Sequence, residues 1–114
     1  MADASIMPMA SEYSDRIDFY ESRAEFLQYR REFKESNRAD QIALQRRFGP
    51  KLYQFELTHK AVEKKLRDLR KQKKALYDDK VIDSMVRWRR LQAIAEAEEK
   101  LFDEYNRRFA EVKP

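Results

Sequence analysis

From Phe55 to Leu76 one strip of side chains repeats at alternating spacings of four and three residues: Phe55, His59, Val62, Leu66, Leu69, Lys73 and Leu76. That average period of about 3.5 residues belongs to a helix laid along another helix, and it does not suit a strand. His59 and Lys73 are its polar interruptions. The rest of the chain offers little to break such helices. There is one Gly and three Pro in 114 residues, whereas a β-sandwich or barrel needs a turn signal roughly every 8–12 residues. Charged residues reach 40%, yet seven Phe, six Tyr and one Trp are too many for a disordered polyampholyte. The expected fold is all-α, an elongated three-helix or helical-hairpin arrangement with coiled-coil-like seams, in a single helical domain over 11–114.

Three helices are expected, at about 11–48, 51–77 and 80–112. Ser11 is a candidate N-cap for the first, with Glu12 and Asp15 near the positive end of its dipole. Its pattern weakens at Lys34–Arg38, and Asn37 with Asp40 three residues on could cap a continuation. Gly49-Pro50 is the clearest stop signal. Asp78-Asp79 is the expected turn between the second and third helices, because the step from Leu76 to Val81 is five residues and throws the strip out of phase; the alternative is one uninterrupted helix of about 60 residues with a phase shift there. The third seam reads Val81, Ser84, Trp88, Leu91, Ala95, Glu98, Phe102, Tyr105, Phe109 and Val112. Residues 1–10, with Ile6-Met7-Pro8-Met9, read as an apolar, non-helical arm.

Placed at about 100° per residue, the first helix carries two apolar stripes. Tyr13, Ile17, Tyr20, Ala24 and Leu27 form one. Phe19, Phe26, Tyr29 and Phe33 form the other, on nearly the opposite face. A small isolated bundle needs one stripe per helix. The second stripe, together with Trp88, is therefore expected to bind a neighbouring protein. The alternative is a compact bundle with this helix at its centre.

Charge is uneven. Residues 49–77 hold nine basic side chains against three acidic, while the whole chain is only +4. Lys60, Lys64, Arg67, Lys71 and Lys74 repeat at four, three, four and three residues and make a positive row over roughly 20 Å of helix. Such a row suits an acidic protein surface, nucleic acid or anionic lipid. No aromatic interleaves with it, which argues against stacking readout of single-stranded RNA. Its bland reading is a solvated face whose counterparts include the Glu96–Glu99 cluster.

Chemistry-bearing patterns are sparse. With one His and no Cys, a nucleophilic triad would need His59 and a nucleophile that no motif supplies. Glu56-Leu57-Thr58-His59 has the Glu-x-x-His spacing of di-iron bundles, but those need it twice, plus two further Glu. No cofactor or metal is expected, and no enzymatic activity. The lack of Cys fits an intracellular protein, and no apolar run approaches the roughly 18 residues of a membrane span. Gln28-Tyr29-Arg30 resembles the Leu-Tyr-Arg tripeptide of a small, basic, three-helix mitochondrial family, although Gln28 stands where that family has its defining Leu; the resemblance implies an accessory subunit. A mitochondrial or cytoskeletal setting is compatible with this profile. The expected function is a non-enzymatic structural subunit of a larger assembly, holding other protein subunits through apolar helix faces and the basic row, with hetero-assembly ranked ahead of a homodimer. The alternative is a basic helical protein that binds nucleic acid or an anionic membrane through Lys60–Lys74.

Overall fold

In a computed structural model the backbone is described for residues 7–113, and side chains from Asp15 onward apart from 48–51 and Tyr53. Three α-helices account for it: α1 (Met7–Glu35), α2 (Arg38–Asp78) and α3 (Ser84–Val112). The all-α expectation holds, but the first break falls elsewhere. It lies at Ser36-Asn37, where the Asn37 side chain caps α2 by accepting from the Asp40 N–H at 2.9 Å. Gln41 Nε2 donates to the Phe33 and Ser36 carbonyls, satisfying acceptors that the end of α1 leaves open.

Gly49-Pro50, read as a stop, lies inside α2. A proline disfavours the helical region for the preceding residue through clashes with its N–H and its Cβ, and Gly49 removes the second of these. The lost backbone hydrogen bond and the crowding of the carbonyl four residues back are carried by the helix-forming runs on either side. The arm is corrected too: Met7–Ala10 are helical, while residues 1–6 lie outside the described part.

The turn between α2 and α3 is firmly made. Asp79 Oδ1 accepts from the Val81 and Ile82 N–H groups, and Asp83 Oδ2 from those of Met85 and Val86, as the N-cap of α3. Arg87 reaches back to donate to the carbonyls of Leu76 and Asp79, occupying the C-terminal end of α2.

α2 and α3 pack antiparallel as a long hairpin. From Asp15 to Arg30, α1 makes ion pairs, hydrogen bonds and ring contacts with residues 55–63 of α2, with 102–109 of α3 and with Lys113 just past its end. Here the aromatic stripe of α1 turns inward. Phe19 and Phe26 are 1% and 2% exposed and join Phe55, Val62, Leu66, Leu101, Phe102, Tyr105 and Phe109 in one core. The other stripe faces out, with Ile17, Tyr20 and Ala24 exposed. Rings carry the larger burial energy, so they take the interior.

Among the described residues, none between Leu66 and Ile94 forms a hydrogen bond, ion pair or ring contact with α1. The hairpin thus has a base clamped by α1 and a distal arm two helices thick. The Cα extents are 59 × 37 × 18 Å and the radius of gyration is 18.3 Å, well above the about 13 Å of a compact chain of this length.

Phe19→Ala and Phe26→Ala should each lower unfolding free energy by about 3–5 kcal/mol, whereas Trp88→Ala should stay within about 1 kcal/mol. Urea titration followed by far-UV dichroism measures both; equal costs for the three would contradict this core.

Candidate interaction site

The seam of α2 faces α3 as its spacing requires. Phe55, His59, Val62 and Leu66 are buried, and Leu69, Lys73 and Leu76 half-buried. Its two polar interruptions meet polar partners. His59 Nδ1 lies 2.8 Å from the Tyr105 hydroxyl, and Lys73 Nζ lies 2.8 Å from Glu98 Oε1. Glu98 is buried and this oxygen has no partner at a hydrogen-bonding angle. The pair therefore offsets a desolvation cost rather than adding net stability, and it ties α2 to α3 in one register.

His59 sits among rings and charges. Phe26 stacks 4.8 Å from it, and the Glu63 carboxylate lies 4.0 Å from Nε2. That carboxylate favours a proton on Nε2, leaving Nδ1 to accept from Tyr105. Glu63 is itself held by Arg23, and Glu56 by Arg30 through two hydrogen bonds. The Glu56-x-x-His59 spacing thus places Glu56 on an arginine, and among the described residues no three metal-ligating side chains converge. Burial depresses the His59 pKa, against the opposing pull of Glu63, and burial raises that of Tyr105 above its ordinary 10.0.

The residues expected to bind a partner divide. Phe19 and Phe26 are core and present no surface, which corrects that assignment. Tyr29 is half-buried against the core and its hydroxyl donates to Glu25 at 2.7 Å. Phe33 is half-buried. Trp88 is 57% exposed. Sequence reasoning extended the α3 seam through Val81, Ser84 and Trp88, but all three are exposed. Val81 and Ser84 lie in the turn and at its edge, and the face that α3 turns to α2 runs through Arg87, Leu91 and Ile94, one residue off Trp88.

The five cations of the basic row, Lys60, Lys64, Arg67, Lys71 and Lys74, are all exposed. Lys60 stands 4.0 Å from Glu56. Among the described residues the other four have no carboxylate within ion-pair distance. Beside the row runs a feature that spacing alone did not reveal, an open groove of about 560 Å³ between the distal halves of α2 and α3. Leu69, Leu76 and Ile94 supply its apolar part, and Ala75, Ala93 and Ala97 keep it wide. Gln72 on its wall follows Glu63 by nine residues, about two and a half turns, so the groove lies on the side of α2 away from α1. Lys71 precedes Ala75 by four residues and so borders the groove along α2, while Asp79 of the turn and Arg90 of α3 line it. Scattered alanines in a charged helix gave the only hint of it.

No helix among the described residues is long and apolar enough to cross a membrane. No family model matches the chain, and no curated protein or solved structure matches it.

Because the unfolded chain takes up a proton near pH 6.5 that folded His59 resists, stability should be level above about pH 7 and fall as pH drops below about 6.5. Urea unfolding at about pH 7.5 and 5.5 should show this loss, and His59→Gln should remove most of it. An unchanged pH dependence in that variant would show that His59 is not its source.

Proposed function

We propose that this chain is a non-enzymatic structural subunit that holds a neighbouring protein along the distal arm of the α2–α3 hairpin. One observation supports the reading above others: an apolar groove on the side of the hairpin away from α1 adjoins the exposed row of α2, of which Lys64, Arg67, Lys71 and Lys74 have no carboxylate in ion-pair range among the described residues. A groove between two helices accepts the apolar stripe of a third. Lys71 and Arg90 along its borders favour a stripe flanked by Asp or Glu. The partner this chemistry selects is an acidic amphipathic helix of another subunit. Relative to the sequence-based expectation, the surface moves from the α1 aromatics to the arm.

A second reading rests on the exposure of all five cations of the row, which could equally neutralise phosphates of a nucleic acid. The two readings separate by variant. Ala93→Glu places a carboxylate in the groove at an exposed position. It should weaken a partner identified by cross-linking from residue 93 at least about tenfold. Lys64→Glu, Arg67→Glu and Lys71→Glu together should weaken the same partner and flatten its salt dependence. Full binding by Ala93→Glu, with binding to duplex DNA lost in the triple variant, would favour the second reading. Calorimetric or anisotropy titrations measure each case.

A further inference from the structure

The far end of the hairpin carries a surface that neither the groove nor the basic row explains. Between the last turn of α2 and the second turn of α3, Tyr77, Val81, Met85, Val86 and Trp88 are all exposed, Val81 at 95%. A soluble helical turn of this length does not need five exposed apolar side chains, since capping and connection are already made by Asp79, Asp83 and Arg87. They come from the end of α2, the start of α3 and the turn between them, at the tip of the hairpin. Around them stand Lys71, Lys74, Lys80, Arg89 and Arg90, all exposed and, among the described residues, without a carboxylate in ion-pair range. The local acids are Asp78, Asp79 and Asp83, and two of these three face backbone N–H groups as caps.

We infer that this hairpin end inserts shallowly into the headgroup region of an anionic bilayer. Three features select that acceptor. An apolar hairpin tip needs a medium that deforms around it, and the acyl–headgroup boundary does so. Trp88 and Tyr77 pair an apolar ring with a polar handle, the combination that settles at membrane interfaces. The surrounding cations match a negative surface potential, each Lys or Arg near the surface being worth about fivefold in partitioning. Nucleic acid would use the cations and leave Val81 and Met85 against phosphates. This surface shares Arg90 with the groove of the proposed protein contact, but its five apolar side chains lie outside that groove and the inference does not depend on that reading.

Trp88 is the only tryptophan in the chain, so its fluorescence reports on this end alone. The full-length protein is titrated with phosphatidylcholine vesicles and with vesicles of about one third phosphatidylserine. Only the anionic vesicles should shift Trp88 emission to shorter wavelength, with partitioning at least about a hundredfold above neutral lipid. Lys80→Gln should lose about fivefold, and Val81→Glu with Met85→Glu should abolish the shift while leaving the far-UV dichroism unchanged. Ala93→Glu, in the groove, should insert as the parent chain does. Co-sedimentation without a Trp88 shift overturns the inference and assigns lipid contact to the row Lys60–Lys74. No binding to anionic vesicles overturns it outright. So does a shift produced by an acidic amphipathic peptide but by no vesicle, which would make this end a protein contact.

Discussion

The whole arrangement hangs on Tyr105, which is fully buried at the one place where all three helices meet. Phe19 of α1 packs edge-on against it at 4.9 Å, Phe55 of α2 does the same at 4.9 Å, and His59 bonds its hydroxyl. Phe26 closes the ring of contacts on Phe55 and Phe109. Aromatic pairs at these separations each add about 0.5–1.5 kcal/mol beyond their burial. The polar handle of Tyr105 is satisfied inside the node, so the rings can pack without stranding a hydroxyl. Outside it, Arg23–Glu63 and Arg30–Glu56 fasten the exposed edge of α1 to α2, and such partly exposed pairs add little to stability while fixing orientation.

Concentrating the aromatics at one end has a structural consequence at the other. The distal arm has only Leu66, Leu69, Leu76, Leu91 and Ile94 with the Lys73–Glu98 pair to hold two helices together. Two packed helices bury one stripe each and no more. The outer edges of Leu69, Leu76 and Ile94 line the groove away from α1, and the apolar side chains left over face outward at the hairpin end. Both open surfaces therefore follow from where α1 stops covering the hairpin.

Much of this was legible in the residues. The four-three spacing from Phe55 to Leu76 located a seam whose inward positions are buried or half-buried, and its polar members foreshadowed matched polar layers, His59 with Tyr105 and Lys73 with Glu98. Asn37 and Asp40 marked the first break through a capping bond that depends only on local sequence. Gly49-Pro50 misled because a stop signal is a local preference, and Gly49 removes part of the clash that proline makes with the residue before it, so the helix-forming runs on either side carry α2 through. The two stripes of α1 were correctly placed on opposite faces, but periodicity says which face is apolar and not what covers it. Only tertiary contact decided that Phe19 and Phe26 go inward and Ile17 and Tyr20 outward. Trp88 continued the spacing of α3 one residue off the face that Arg87 and Leu91 turn to α2.

The two open surfaces are electrostatically linked. Arg90 lines the groove and also stands beside the hairpin end, and Lys71 borders the one and rims the other. Charges on the last two turns of α2 and the first turns of α3 lie within about a Debye length, roughly 8–10 Å, of both. An acidic helix seated in the groove would neutralise part of the field that attracts an anionic surface to the end of the arm. Linkage then requires the converse with equal magnitude. The sign of that coupling is set by two cations serving two neighbours, and it would hold even if the helices did not move.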